Sequence, residues 1–261
     1  MSMRGKKGQV TIFVIVAVVI AVGVFGYYVV DSGFGGVPNY PEGVSTLRDN
    51  MVDCFLALDI EIIELTGIQG GYYRSIDGPR EEFSDGLFIP YYFHDGERFV
   101  PSLAFIASEI EKGINENAAS CLDDESITSP YDIRYGDIST DVRILGDEIV
   151  IVSDVDLYVT DSEKEHVISL NDYPQTISSD YQLMHEIASR MTEENGYDGD
   201  GVCLTCIDAM VQGTGVYVEF SVYDESLTNE AVIISDITEG HYPTSFEFLN
   251  KYAEIVEDES A

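Results

Sequence analysis

The run Ile149-Val-Ile-Val-Ser-Asp-Val-Asp-Leu-Tyr-Val159 repeats its apolar residues with a period of two. Successive side chains of a strand leave opposite faces, so this spacing predicts a half-buried strand and excludes a helix. Val142-Arg-Ile144 has the same period, and the turn residues Gly146-Asp147 and Asp161-Ser162 bracket the run. Strands joined by turns this short are antiparallel neighbours.

Toward the N-terminus the period changes. Leu47, Met51, Cys54, Phe55, Leu58, Ile62 and Leu65 recur at three and four, which predicts an amphipathic helix over about 44–66 that stops at Gly67. Gly70 and Gly71, inside Ile68–Tyr73, suit a turn or a close backbone approach. Leu87–Phe93 reads as a strand before the turn Asp95-Gly96. Pro101 then opens a helix that Leu103, Ile106, Ile110 and Ile114 carry toward Cys121. Toward the C-terminus, Leu183, Ile187 and Met191 predict a helix over about 180–195, and Gly215–Tyr223 and Ala231–Ile237 predict two strands. Ser245–Val256 fits helix and strand equally. The fold class is α+β, with helices packed on a mostly antiparallel sheet.

The charge is extreme. The chain holds 13 Lys and Arg against 48 Asp and Glu, and beyond the first eight residues Lys112, Lys164 and Lys251 are its lysines. Such repulsion opposes a compact state in dilute buffer, and strong salt relieves it, since the Debye length falls to about 3 Å at 1 M. The composition is that of a protein adapted to brine. With 45% apolar residues and regular strand patterns, disorder is excluded. Nucleic acid is excluded as a partner because phosphates would be repelled.

The N-terminal segment dictates location. Val10–Val30 reads VTIFVIVAVVIAVGVFGYYVV with no charged side chain before Asp31, which as a helix would be roughly 31 Å long and match a bilayer core. Arg4, Lys6 and Lys7 precede it, so the positive-inside bias puts the N-terminus in the cytoplasm and the rest outside the cell. A cleaved secretory signal would have a shorter apolar core and a small-x-small site after it. The expected organisation is a basic leader over 1–8, a transmembrane helix over 9–30, a Gly/Pro linker over 31–42 and an acidic α+β ectodomain over 43–261, with a candidate sub-boundary near 125–131.

The junction Lys6-Lys-Gly-Gln-Val-Thr-Ile-Phe13 resembles the class III signal of archaeal type IV pilins and archaella. It is also similar to the leaders of membrane-anchored surface proteins of small symbiotic archaea. The resemblance covers about the first 30 residues. It implies cleavage between Gly8 and Gln9 by a membrane peptidase, and an apolar helix that is kept as an anchor or packs into a filament core. Many pilins carry Glu at the fifth mature position, whereas Phe13 stands there in this chain, which weights the reading toward an anchor or a divergent pilin-like subunit.

Four cysteines in an extracytoplasmic domain predict bridges. Three pairings exist. Cys54 with Cys121 is favoured because each lies on or at the end of a predicted helix, and closing a loop of nearly 70 residues is worth on the order of 4 kcal/mol. Cys203 and Cys206 would then bridge locally. The Cys203-Leu-Thr-Cys206 pair also admits a thiol-disulfide oxidoreductase, but the preceding Asp198-Gly-Asp-Gly201 disfavours a thiolate, and no strand-then-helix context is legible around it. Zinc is opposed by the spacing of Cys54 and Cys121.

Other chemistry lacks a constellation. A calcium loop beginning at Asp198 would need Glu at its twelfth position, where Ala209 stands. His94, His166, His185 and His241 are scattered, and no GxSxG elbow or phosphate loop occurs. No metal or cofactor is expected. The aromatic pairs Tyr72-Tyr73 and Tyr91-Tyr92 are each expected to point one ring inward and one outward, and exposed tyrosines suit protein or glycan contacts.

Two functions follow as expectations. The first is a non-enzymatic, single-pass cell-surface protein: a pilin-like filament subunit, or an adhesion or envelope component. Its partners would be membrane lipid, sister copies through the N-terminal helix, and envelope or other-cell proteins. The second is a membrane-tethered oxidoreductase using Cys203 and Cys206.

Overall fold

The computed structural model describes residues 40–74, 76–83, 86–162, 164–198, 204–222 and 229–252. Val44–Ala261 forms one compact unit. The leader, the apolar run over 9–30 and most of the linker lie outside the described residues. Among the described residues no helix is long and apolar enough to cross a membrane.

The first helix, α1, spans Glu42–Ile68 and is the spine of the unit. Its buried stripe, Val44, Leu47, Met51, Phe55, Leu58 and Ile62, follows the three-and-four spacing read from sequence. Gly70 and Gly71 end it with left-handed φ values of 56° and 88°. The Gly71 N–H donates to Thr66 O at 2.8 Å and the Gly70 N–H to Gly67 O at 2.9 Å, which satisfies carbonyls left open by the last turn.

The period-two run lies at the centre of a bent antiparallel meander of six strands. Its strands are β4 (Asp132–Tyr135), β5 (Ser139–Ile144), β6 (Glu148–Asp154), β7 (Asp156–Asp161), β8 (Lys164–Ser169) and β9 (Gln175–Ser178). They form two antiparallel sheets, ordered β4-β7-β8 and β5-β6-β9. β6 runs into β7 through Val155, and Ile149, Ile151, Ser153, Val155, Leu157 and Val159 all stay buried across the join. The outer strands accommodate the bend. Tyr135 faces Leu157 while Ser139 faces Asp154, so β4–β5 carries one more residue than the stretch opposite. Phe55 and Val52 of α1 lie over Ile151 and Leu170 on the buried face.

The third sheet is larger. It contains β1 (Arg80–Glu82), β2 (Phe88–His94), β3 (Glu97–Arg98), β10 (Val216–Val222), β11 (Asn229–Asp236) and β12 (Thr244–Lys251), in the order β1-β2-β12-β11-β10 with β3 on β2. All pairings are antiparallel except β12 with β2, where Leu249 faces Tyr91 in parallel. The segment from Ser245, undecided by sequence, is therefore strand β12. Thr244, Phe246 and Phe248 on alternate positions are buried, and Tyr92 stacks on Phe248 at 4.6 Å.

Helices close the core. α2 (Leu103–Asn117) is capped by Ser102, whose side chain accepts from the Phe105 N–H, and it meets β5 where Glu111 accepts the Val142 N–H at 3.0 Å. Two short helices follow, α3 (Ala119–Leu122) and α4 (Glu125–Thr128). α5 (Tyr181–Asp198) packs Tyr181 edge-on to Phe246 at 5.5 Å. α6 (Leu204–Val211), which the sequence reading did not anticipate, begins immediately after Cys203.

Candidate functional site

A cleft of about 600 Å³ is built where three chain segments meet. The Gly70-Gly71 turn delivers Tyr72 from the end of α1. The β2–β3 hairpin returns as Phe99-Val-Pro101, and the first turn of α2 adds Phe105. Tyr72 and Phe105 meet edge to face with centroids 5.3 Å apart. The Tyr72 hydroxyl points to Phe99 O at a long 3.5 Å. Asp77 and Ser102 are the polar side chains of the rim besides that hydroxyl.

Hydrogen bonds tie down the surroundings of the cleft. His185 of α5, buried, places Nε2 2.7 Å from Pro101 O, so this nitrogen carries the proton and donates. Burial holds the His185 pKa below its usual range, against the hydrogen bond to Pro101, and the ring is neutral at pH 7. Behind Tyr72, the Tyr73 N–H donates to Glu109 Oε2 at 2.9 Å. Burial, then the Glu109 charge, raises the Tyr72 pKa, so the phenol stays protonated. The described lining residues include no His, Cys, Lys or Arg. The arrangement suits holding a ligand, because it supplies aromatic faces and one carboxylate without a nucleophile–base pair.

A second constellation joins residues far apart in sequence. Asp180, Asp236 and His241 bring ligand atoms within 4.8 Å of one another. Asp236, at the end of β11, accepts the Asp180 N–H at 2.7 Å and the Thr238 N–H at 2.9 Å, and lies 3.0 Å from His241 Nδ1. Thr238 Oγ1 donates to Asp180 Oδ2 at 3.1 Å. Burial works to raise the Asp236 pKa, and the hydrogen bonds from Asp180, Thr238 and His241 outweigh it and hold the carboxyl below its usual range. Three such ligands have the chemistry to hold a divalent cation. Asp180 directly precedes α5, however, where the positive end of the helix favours the carboxylates and opposes an added cation. The trio accordingly pins β11, the 237–243 turn and α5 together. Sequence spacing gave His241 no partner, because both aspartates reach it only through the turn and the α5 docking.

The residues singled out from sequence fare unevenly. Gly8 and Gln9 lie outside the described residues. Cys54 and Cys121 are disulfide-bonded, with Cα atoms 5.8 Å apart. Cys206 is also disulfide-bonded, while Cys203 lies outside the described residues. Cys206 lies in the first turn of α6, and the element before the pair is the helix α5, so no strand-then-helix context surrounds it. The tyrosine pairs do not divide between inside and outside. Tyr72, Tyr73, Tyr91 and Tyr92 are all buried, because the α1–β2 corner is covered on both sides. Among the described residues, Tyr158 and Tyr217 are the exposed tyrosines.

Comparison with protein families, with curated proteins and with solved structures finds no match to this chain.

Proposed function

We propose that this chain is a non-enzymatic, membrane-anchored cell-surface protein whose acidic α+β head works outside the cell in strong salt. The apolar run over 10–30 anchors it, or packs among sister copies if the Gly8–Gln9 bond is cut. The head contacts envelope proteins or another cell. The observation that carries this reading is the Cys54–Cys121 disulfide, which joins two helices of a domain with no described free cysteine. Such bridges persist in oxidising compartments and are rare in a reducing cytosol. The acidic surface is consistent with exposure to brine, and nucleic acid is not a partner.

Fractionation of the source cells tests the location: the protein is expected in the membrane fraction, with its head open to added protease. Recovery from the cytosol would overturn the reading. Mass spectrometry of the native N-terminus, with electron microscopy of the cell surface, separates the two forms. Gln9 at the N-terminus with filaments identifies a pilin-like subunit; Met1 without filaments identifies a plain anchor.

A membrane-tethered thiol-disulfide oxidoreductase is the second reading. It draws on Cys206 in the first turn of α6, where the helix field lowers a thiol pKa. A reduction potential for the Cys203–Cys206 pair in the range of structural disulfides, below about −300 mV, removes it.

A further inference from the structure

We infer that the cleft between Tyr72, Phe99 and Phe105 binds a small organic ammonium ion, with the exposed Phe105 ring against the cation and Asp77 as its counter-charge. The inference concerns the head alone and stands whether or not the chain is anchored.

Four observations converge. First, the cleft has room: about 600 Å³ exceeds a quaternary ammonium group several times over. Second, its aromatic rings are not stacked flat on each other. Tyr72 is buried and meets Phe105 edge to face at 62°, which fixes the Phe105 ring, and Phe105 is 40% exposed, so it presents open ring surface to a guest in the cleft. Ring faces carry negative quadrupole density and attract cations, most strongly the poorly hydrated ones. Third, the neighbouring arginines are already committed. Arg80 binds Glu82 at 2.7 Å and Ile76 O at 2.5 Å, and Arg98 binds Glu193 at 2.9 Å and Ser189 Oγ at 2.7 Å. Asp77, by contrast, makes no ion pair among the described residues. Fourth, the Asp77 carboxylate lines the cleft itself, so it acts on a bound cation at short range, where strong salt screens little.

Competing ligand classes fit less well. An anion would face the Asp77 carboxylate at short range. A neutral sugar needs several polar side chains to fix its hydroxyls, and Ser102 Oγ already accepts the Phe105 N–H as the cap of α2. Inorganic cations are strongly hydrated and gain little from rings. An alkylammonium ion uses both the apolar walls and the carboxylate.

Calorimetric titration of the full-length protein in neutral detergent tests this, with choline as the probe and 3,3-dimethylbutan-1-ol, its uncharged isostere, as the comparison. Choline is expected to saturate one site at millimolar concentration and the isostere to bind at least about tenfold more weakly. Phe105→Ala and Asp77→Asn should each weaken choline binding about fivefold or more. Asp156→Asn, which removes an equal charge from the exposed meander, should leave it unchanged. Asp77 and Asp156 are both exposed, so these two variants keep the comparison free of folding defects. Equal binding of choline and its isostere would overturn the inference, leaving an apolar cleft only. Choline affinity that falls equally with Asp77→Asn and Asp156→Asn would overturn it in favour of a diffuse surface field, and absence of choline binding would overturn it outright.

Discussion

Two aspartates with opposite settings illustrate what burial does to a carboxyl group. Asp59, on the buried side of α1, is fully buried, and neither oxygen has a hydrogen-bond partner. Burial pushes its pKa up to about 7. Its proton is therefore held more tightly in the folded state than in the unfolded chain, and stability falls as pH rises from about 4 to about 7 before levelling off. By linkage the loss is on the order of 4 kcal/mol. Asp59→Asn should flatten that decline and raise the urea midpoint at pH 8, with little change at pH 4; an unaltered pH profile would mean that Asp59 is satisfied in solution. Asp236 works in the reverse sense. Its lowered pKa supplies stability above the unfolded value that disappears as pH falls through the folded one. The first residue is readable in sequence only as an acid beside an apolar stripe. The second is invisible there, since besides the local Thr238 and His241 it is held by the distant Asp180 N–H.

Elements meet closely at two glycines, and the partner atom decides what a methyl group would cost. A Cβ on Gly67 would lie 2.2 Å from Ser245 O, part of the β12 backbone, which cannot swing away. Gly67→Ala gains about 1 kcal/mol of helix propensity but forces α1 off the sheet, a cost of about 3 kcal/mol or more, so a net loss is expected in denaturant unfolding. On Gly113 a Cβ would lie 2.6 Å from Ile62 Cγ2, which sits on a stiff β-branched carbon, and 3.0 Å from the Tyr73 ring, and both residues are buried. Gly113→Ala should therefore also lose stability, by about 1–2 kcal/mol in denaturant unfolding, overpacking of about 2–3 kcal/mol outweighing about 1 kcal/mol of helix propensity. The Cys54–Cys121 bridge spans 67 residues and ties α1 to α3. Replacing both cysteines by serine should lower stability by roughly 4 kcal/mol in the loop-entropy account, measured by the guanidinium midpoint with and without reductant. A parent protein indifferent to reductant would contradict it. Of these contacts, sequence made the bridge legible, since both cysteines sat on predicted helices. It gave no sign that Gly67 rests on Ser245, because the two are distant in the chain and β12 read equally as helix.

At the scale of the molecule, 48 acidic side chains on a 261-residue chain set the conditions under which the fold exists. The melting temperature should climb by about 10 °C between 0.1 and 1 M NaCl and then flatten, since screening is nearly complete when the Debye length reaches about 3 Å. A rise that stays linear to 4 M would instead mean salt exclusion from the surface. The sequence by itself determined the α+β class, the acidic surface, the meander with its alternating inward residues and the helical stripe of α1. These depend on local periodicity and composition, which a chain carries in every conformation. Tertiary structure alone decided the parallel pairing of β12 with β2, the strand identity of the last segment, the burial of all four paired tyrosines, the Asp180–Asp236–His241 pin and the aromatic cleft beside Asp77. Each of these needs segments brought together across long stretches of chain, and only core packing chooses which of them meet.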